Sequence, residues 1–159
     1  MNVLKHPLIV KTIAWPDEAA TQSFAQTLAA RSGVGSATIE LHGDLGAGKT
    51  TFARYLLAAL GVQGRIKSPT YAVVETYALA SGGHIWHFDF YRFNDPNEWE
   101  EAGFRDVFAS PGLKLVEWPE KAGEYLPPCD LQLAIDTLPD ASRSVRLSAF
   151  TPLGAELMA

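Results

Sequence analysis

Apolar residues recur along the first part of the chain in short runs that predict alternating strands and helices. Residues 8–14 and 37–42 have the apolar and β-branched composition of strands, and we expect the first of them at a sheet edge. Residues 16–31 predict a helix, because proline and acidic residues in a first turn suit the positive end of the helix dipole. A second helix is predicted at residues 50–60, where Gly61 ends it.

The rest of the chain predicts a hairpin followed by shorter elements. Residues 71–79 and 84–90 are rich in β-branched and aromatic side chains and are joined by Ala-Ser-Gly-Gly, which is typical of an antiparallel hairpin. Pro96 and Gly103 limit the polar segment at 95–108 to short helices. Further strands are predicted at 113–117, 131–136 and 145–150, and a terminal helix at 152–158.

The segment between the second strand and the second helix carries a phosphate-binding pattern. Residues 43–50 are Gly-Asp-Leu-Gly-Ala-Gly-Lys-Thr, which fits G-x-x-x-x-G-K-[ST] in the strand-to-helix context that this pattern requires. The glycines allow the backbone to direct N–H groups at phosphate oxygens, and the helix adds its positive end. Lys49 would reach the β- and γ-phosphates of a nucleotide, and the Thr50 hydroxyl would bind Mg²⁺. The alternative is a glycine turn before an ordinary helix.

The order of these elements predicts an α/β, P-loop NTPase-like three-layer fold. Its sheet is expected to be small and mixed, with parallel strands beside the phosphate-binding loop and antiparallel strands at the hairpin. The chain has 159 residues, of which 47% are hydrophobic. That is enough for a sizeable core, so we expect a single domain over residues 1–159.

Composition limits the function classes that fit this chain. The net charge is −5 and no basic run with interleaved aromatic residues occurs, so direct binding of nucleic acid is not expected. Cys129 is the single cysteine, which excludes an intrachain disulfide and a zinc site built from cysteines. The sequence contains no signal-peptide pattern and no apolar run near the ~20 residues of a membrane span. We therefore expect a cytoplasmic protein without a membrane segment.

Two carboxylates are candidates for completing a magnesium site. Asp89 belongs to the largely apolar run at 84–90 and Glu117 ends the run at 113–117, so both lie near predicted strand ends, where ligands bind in open α/β folds. Strand alternation puts Asp89 on the same face as His87, which we expect to be a packed, hydrogen-bonded histidine and not a metal ligand. A surface carboxylate on an edge strand is the alternative for Asp89. Which carboxylate binds the metal directly stays open.

Two further segments accompany these carboxylates. Trp118 follows Glu117 directly and is either a core residue or a large aromatic side chain beside the ligand. Residues 67–71, Lys-Ser-Pro-Thr-Tyr, lie beyond the P-loop helix, where switch proteins have a loop that senses the γ-phosphate through Ser or Thr. Taken alone, this segment is equally consistent with a plain turn before a strand.

Several segments, in this order and spacing, resemble the TsaE (YjeE) family of bacterial ATPases required for making threonylcarbamoyladenosine in tRNA. They are GDLGAGKTTF, KSPTY, HFDFYR, DPNEWEEAGFRD and LVEWPEK, and the resemblance runs from about Pro16 to Arg146. It implies weak ATP hydrolysis with Mg²⁺ and binding to the TsaD–TsaB complex, which transfers the threonylcarbamoyl group. ATP turnover would reset that complex between cycles, and tRNA would be reached only through these partners. Phe90 and Trp99 depart from the family pattern without affecting the site.

The resemblance also implies roles for individual residues. Lys49, Asp89 and Glu117 are the implied catalytic residues, and Asp89 matches the functionally essential aspartate of the family. Thr50 and Glu117 would bind Mg²⁺, and Trp118 matches a tryptophan near the nucleotide. The implied nucleotide-binding residues are Glu18, Gly46, Ala47, Gly48, Lys49, Thr50, Thr51, Trp118, Ser142 and Arg143.

Two other functions are compatible with a phosphate-binding loop. A small-metabolite or nucleotide kinase would need an arginine-bearing lid and an acceptor pocket, and only Arg92 and Arg105 lie in a plausible mid-chain insert. A GTPase switch would need an Asn-Lys-x-Asp motif, which the sequence lacks. The ATPase is the function we expect, in a chain that we expect to be a monomer.

Overall fold

The structure is a computed structural model that describes residues 6–159. These residues form a seven-stranded sheet in the order β1-β7-β6-β2-β5-β4-β3. The strands are β1 (Ile9–Trp15), β2 (Thr38–His42), β3 (Val74–Ala78), β4 (His84–Asp89), β5 (Leu113–Glu117), β6 (Leu131–Thr137) and β7 (Arg143–Ala149). The α-helices are α1 (Glu18–Ala29), α2 (Lys49–Ala59), α3 (Asn97–Glu101), α4 (Phe104–Ala109) and α5 (Pro152–Met158), and short 3₁₀ helices cover Val34–Ser36 and Pro119–Tyr125.

The sheet is mixed, as the sequence predicts. Its centre is parallel, because β2 pairs in parallel with β5 and β6, and β5 pairs in parallel with β4. The predicted hairpin of β3 and β4 is antiparallel and forms one edge. At the other edge β1, β7 and β6 are also antiparallel, which the sequence did not predict and which extends the small sheet that was expected. The α/β fold class is confirmed.

Strand alternation divides the core into two layers. Leu113 and Leu115 of β5 pack with α1, α2 and α5 on one face of the sheet, whereas Val116 packs with α3 and α4 on the other. The first layer is mainly aliphatic, and the second is built around the aromatic side chains of Phe88, Phe90 and Trp99. Helices therefore cover both faces, which confirms the three-layer arrangement.

Most predicted elements are present, with shifted ends. β5 and α5 have the predicted bounds, but β3 begins only at Val74. The reason is a turn: the Val73 N–H donates to the Pro69 carbonyl and Val73 has φ 71°, a left-handed conformation that a strand residue cannot have. β7 begins at Arg143, two positions earlier than predicted, because it pairs along its whole length with β1 and β6. The 3₁₀ helix at Pro119–Tyr125 was not predicted.

The parallel centre brings the ends of three strands to one edge of the sheet. In the register of β2, β5 and β4, Glu117 is aligned with Leu41 on one side and with Asp89 on the other. The loop at residues 43–49 leaves β2 at the same edge and leads into α2. The two carboxylates and the loop, which are far apart in the sequence, therefore lie close together at this edge of the sheet. Within residues 6–159, none of the helices has both the length and the apolar character needed to cross a membrane.

Candidate functional site

The loop at residues 43–49 has a backbone that depends on its glycines. Gly43 has φ 150°, and a Cβ at this position would lie 2.6 Å from the Ile135 carbonyl oxygen. Gly48 is the N-cap of α2 in the left-handed region, with φ 107°, and it has no side chain with which to cap the helix. The N–H groups of the first turn of α2 can therefore bind an anion, as a phosphate-binding loop requires.

Lys49, the first residue of α2, points its side chain across this loop. Its Nζ donates to the carbonyl oxygen of Gly43 and, at 3.3 Å, to that of Asp44. The same Nζ lies 3.8 Å from the ring centroid of Trp118, a cation–π distance. Burial lowers the pKa of Lys49, and the carboxylates of Glu117 and its neighbours oppose that shift. The ammonium group thus lies between the loop and the strand ends, where phosphates would bind.

The Thr50 hydroxyl and the Glu117 carboxylate are in direct contact. Thr50 Oγ1 donates to Glu117 Oε1 at 2.8 Å, and Glu117 is only 1% exposed. The other oxygen, Oε2, lies 2.6 Å from Nε2 of His87. A hydroxyl beside a carboxylate is an oxygen donor set that suits Mg²⁺, which is usually bound by one or two protein oxygens together with phosphates and water. The residues present therefore fit a magnesium ion.

Asp89 lies beside Glu117 but has different partners. Its Oδ1 accepts the Tyr91 N–H at 2.9 Å, and its Oδ2 accepts the Thr70 hydroxyl at 3.3 Å. Thr70 is linked in turn to Ser68, with 2.8 Å between the two hydroxyl oxygens. Burial raises the pKa of Asp89, and the Tyr91 N–H opposes that shift. Asp89 thus ties the loop at residues 67–71 to the strand ends.

Trp118 leaves β5 in an unusual conformation. Its φ and ψ of 56° and 48° are left-handed, which is uncommon for a bulky residue and indicates that its surroundings impose it. The indole packs 4.9 Å from the Tyr91 ring, measured between centroids, and faces Lys49. Trp118 therefore covers the loop at residues 43–49 from the side of the strand ends.

These residues surround a cavity of about 260 Å³, which we call the phosphate cavity. Its lining consists of Leu45, Gly46, Ala47, Gly48, Lys49, Thr50, Thr51, Thr70, Asp89, Tyr91, Glu117, Trp118 and Arg143. A second cavity of about 300 Å³ shares Arg143 and part of the loop. It is lined by Trp15, Asp17, Glu18, Thr21, Ala47, Gly48, Thr51, Ala141 and Arg143. Together the two cavities offer room for a phosphate chain and for the remainder of a nucleotide.

The structure brings together all but one of the residues suggested by the sequence. Glu18 and Arg143 line the second cavity, and Arg143 is fixed by donating from Nε to the Ala47 carbonyl at 2.6 Å. Ser142 is the exception, because its hydroxyl donates to Asp140 at 2.6 Å within its own turn, and it lines neither cavity.

Sequence reasoning missed several residues that line these cavities. Trp15 and Thr21 line the second cavity and Tyr91 lines the phosphate cavity. For Trp15 the available signal was its position at the end of a strand, since strand ends are where ligands bind in such sheets. Nothing in the sequence showed that β1 lies beside the late strand β7.

A family model described as "Threonylcarbamoyl adenosine biosynthesis protein TsaE" matches residues 15–145 of this chain. The "tRNA threonylcarbamoyladenosine biosynthesis protein TsaE" of Haemophilus influenzae is 48% identical over 120 residues, which cover 76% of this chain and 75% of that protein. The protein of the same name from Bacillus subtilis is 34% identical over 146 residues, covering 88% of this chain and 87% of the relative.

A solved structure is also similar to this chain. The crystal structure of Bacillus subtilis YdiB superposes with a TM-score of 0.75 at 28% sequence identity. The superposition covers 94% of this chain and 93% of that one. The similarity therefore extends over nearly the whole described fold.

Proposed function

This chain belongs to the TsaE family of tRNA threonylcarbamoyladenosine biosynthesis, and on that premise we propose that it is a Mg²⁺-dependent ATPase that acts through the TsaD and TsaB proteins. The observation that carries the proposal is the contact between the Thr50 hydroxyl and the Glu117 carboxylate at the start of the P-loop helix. A glycine turn before an ordinary helix would not need a buried carboxylate there. A phosphate-binding loop with a magnesium ion does.

Different residues of the phosphate cavity have different roles in the proposed hydrolysis. The first N–H groups of α2 and the Lys49 ammonium bind the β- and γ-phosphates. Bound Mg²⁺ would neutralise charge on the same phosphates. Thr50 and Glu117, which contact each other, would bind this Mg²⁺ ion. Arg143 supports the loop through the Ala47 carbonyl.

We assign to Asp89 the role of orienting the attacking water. It lies beside Glu117 in the strand register and accepts the hydroxyl of Thr70 from the neighbouring loop. Thr70 and Asp89 both line the phosphate cavity. A carboxylate that accepts a hydrogen bond from water orients it for attack without needing to be a metal ligand.

The surface around the cavity mouth supports a role with partner proteins. Leu45 at the tip of the loop is 68% exposed and Tyr71 is 81% exposed. Arg92 lies 4.0 Å from the Tyr71 ring centroid, so this aromatic side chain is held in place although it is exposed. Exposed, ordered apolar groups beside a ligand site are typical of docking surfaces. The net charge of −5 favours contact with tRNA only through TsaD and TsaB.

The two arginines that could belong to a kinase lid, Arg92 and Arg105, have other partners. Arg105 forms a two-pronged ion pair with Glu100, and its guanidinium lies 5.5 Å from the Trp99 ring centroid. Arg92 is engaged with Tyr71. Neither arginine belongs to the residues that line the two cavities, where a lid would have to act.

The first test is nucleotide binding by calorimetry. The wild-type chain is expected to bind ATP with Mg²⁺, and Lys49→Ala is expected to lose this binding while remaining folded, because the loop keeps its glycine backbone. Lys11→Ala, an exposed lysine of β1, is the matched control and should bind as wild type does. Equal ATP affinity in Lys49→Ala and wild type would refute the P-loop function.

The second test concerns the partners. Purified TsaD and TsaB are expected to retain this chain in a pull-down in the presence of ATP, and its phosphate release is expected to rise in their company. Phosphate transfer from ATP to an added nucleoside or small-metabolite acceptor, in place of release to water, would favour the kinase.

A further inference from the structure

His87 is a buried residue to which the proposed hydrolysis gives no role. Its side chain is fully buried in β4, two residues before Asp89 and on the same face of the sheet. Its Nε2 lies 2.6 Å from Oε2 of Glu117, and its Nδ1 is buried with no hydrogen-bond partner within residues 6–159. A buried imidazole with an unpartnered nitrogen is costly. The contact with Glu117 is therefore the polar interaction that accounts for a histidine at this position.

Glu117 is held at both of its oxygens. Oε1 accepts the Thr50 hydroxyl at 2.8 Å while Oε2 faces His87, so a hydrogen-bonded chain runs from His87 through Glu117 to Thr50. The last torsion of a glutamate is soft, and one hydrogen bond would leave the plane of the carboxylate free to rotate. Two bonds at opposite oxygens fix that plane.

The hydrogen bonds also indicate where the proton of His87 lies. A carboxylate oxygen accepts, so Nε2 must carry the proton in order to donate to Glu117. A second proton on Nδ1 would be a buried donor without a hydrogen-bond partner among the described residues, which is unfavourable. The contact with Glu117 therefore requires a proton on Nε2 of His87.

We propose that His87 is a positioning residue for the magnesium site, which orients Glu117 so that its Oε1 and the Thr50 hydroxyl face the metal together. The inference rests on the proposed function, in which Thr50 and Glu117 bind the Mg²⁺ ion that accompanies the nucleotide. It goes beyond that function in naming a residue that touches neither the metal nor the nucleotide. Partners of metal ligands in other proteins have this effect: their loss typically weakens metal affinity by about 10–100-fold.

Two substitutions separate this role from simple filling of the core. His87→Met fills the same space with an apolar side chain of similar size but removes the hydrogen-bond donor. His87→Gln keeps a nitrogen donor at the distance of Nε2 from the backbone and should rescue. Trp86→Phe is the matched control, because Trp86 is the preceding residue of β4 and faces the other core layer, away from Glu117.

The experiment measures binding of the non-hydrolysable analogue AMPPNP by calorimetry, with saturating Mg²⁺ and with EDTA. In wild type, Mg²⁺ is expected to strengthen binding. His87→Met should reduce this Mg²⁺-dependent gain by about 10–100-fold while leaving affinity in EDTA unchanged, and His87→Gln and Trp86→Phe should keep the gain. If His87→Met keeps the whole gain, the positioning role is wrong. If wild type fails to bind AMPPNP even with Mg²⁺, the proposed function itself is wrong, and this inference falls with it.

A second measurement reads the proton positions of His87 in the wild-type chain and needs a variant only to assign the signal. Imidazole ¹⁵N correlation spectra distinguish a protonated from a bare nitrogen, with His87→Gln used to assign the signal. We expect a protonated Nε2 and a bare Nδ1. A bare Nε2 would overturn the proposal, because His87 could then donate nothing to Glu117.

Discussion

The phosphate cavity has two walls that are built in different ways. The P-loop wall is the unbroken segment at residues 43–49, whose shape comes from glycine backbone conformations. The carboxylate wall consists of Asp89, Glu117 and Trp118, which come from the ends of two strands. Side-chain hydrogen bonds to Thr50, Thr70 and His87 hold that wall in place. One wall is therefore a matter of local backbone, and the other of contacts between distant segments.

This difference predicts how each wall fails. A wall shaped by backbone should be disrupted where an added Cβ has no room, and the conformation of the whole loop should then change. A wall of buried carboxylates should lose its chemistry when a charge is removed, while its shape survives. The predictions below separate these two kinds of damage, beginning with the largest expected effect.

The P-loop wall can be broken at one glycine and spared at another. In Gly43→Ala the new Cβ would lie 2.6 Å from the Ile135 carbonyl oxygen, so the loop and β6 must move apart. We expect a loss of about 2–4 kcal/mol in the free energy of unfolding and the loss of ATP binding. Gly46→Ala is the control: its φ of 78° is strained for alanine, but no atom lies within 4 Å of the new Cβ. It should be less stable by only about 1–2 kcal/mol. Chemical denaturation and calorimetry measure both, and equal losses in the two variants would contradict the backbone account.

The carboxylate wall can be broken without altering its shape. Glu117→Gln and Asp89→Asn each remove a negative charge at nearly constant volume, and each is expected to slow ATP hydrolysis on the order of 100-fold. ATP affinity should change by much less, because the loop still binds the phosphates. Phosphate release and calorimetry measure the two effects separately, with Glu156→Gln in the distant α5 as control. Wild-type hydrolysis in both variants would show that neither carboxylate serves the metal or the water.

The two walls also differ in how far the sequence predicts them. The P-loop pattern, its strand and its helix could be predicted because the glycine conformations that shape the loop are encoded within a few residues. The long-range bond from Arg143 to the Ala47 carbonyl could not be predicted in this way. Asp89 and Glu117 could be proposed as strand-end carboxylates. Their alignment could not, because it depends on the register of β4 with β5. The partners of Glu117, above all His87, are non-local contacts that no spacing pattern encodes.

The same limit explains the errors in the fold. The prediction of β1 at a sheet edge is confirmed, but the antiparallel pairing of β1, β7 and β6 joins the two ends of the chain, so this pairing and the early start of β7 were missed. The late start of β3 depends on the turn at Val73, whose positive φ a β-branched residue does not suggest. A role for Ser142 near the nucleotide stays a prediction from the resemblance. Its hydroxyl donates to Asp140 within its own turn, between Ala141 and Arg143 of the second cavity.

The fluorescence of Trp118 can show whether its ring contacts Lys49 of the opposite wall. Its indole lies 3.8 Å from Lys49 Nζ, so a nucleotide that engages Lys49 should change the environment of this ring. We expect a change in tryptophan fluorescence on adding ATP, and Trp118→Phe should remove most of it. Trp15 lines the second cavity and can supply the remainder, whereas Trp99→Phe, in the far core layer, should leave the signal unchanged. A full signal in Trp118→Phe would mean that Trp118 is only a packing residue.

The smallest expected effect concerns a link between the walls on the far face of the sheet. His42 directly precedes the P-loop, and its Nδ1 lies 3.2 Å from Oε2 of Glu120, which follows Trp118 by two residues. Its Nε2 lies 3.0 Å from Oε1 of Glu40. Burial lowers the pKa of His42, but the hydrogen bonds and charges of Glu120 and Glu40 outweigh it and raise the pKa from 6.5 to about 9. The imidazolium is therefore present at neutral pH and ties the start of the P-loop to the segment behind Trp118.

A folded-state pKa above the unfolded value stabilises the protein fully below pH 6.5, and this stabilisation is lost as the pH rises through about 9. Glu120 is 48% exposed, so solvent screening reduces the effect, and we expect His42 to contribute about 1–2 kcal/mol at pH 7. The free energy of unfolding should thus fall more between pH 7.5 and about 10 in wild type than in His42→Gln, which cannot be charged. Lysines and tyrosines that titrate in this range are present in both proteins, so the difference between the two profiles isolates His42. Glu120→Gln should flatten the profile in the same direction, because it removes one of the two charges that raise the pKa. If wild type and His42→Gln lose stability in parallel, the imidazolium does not link the two walls, and the P-loop wall owes its position to its own backbone alone.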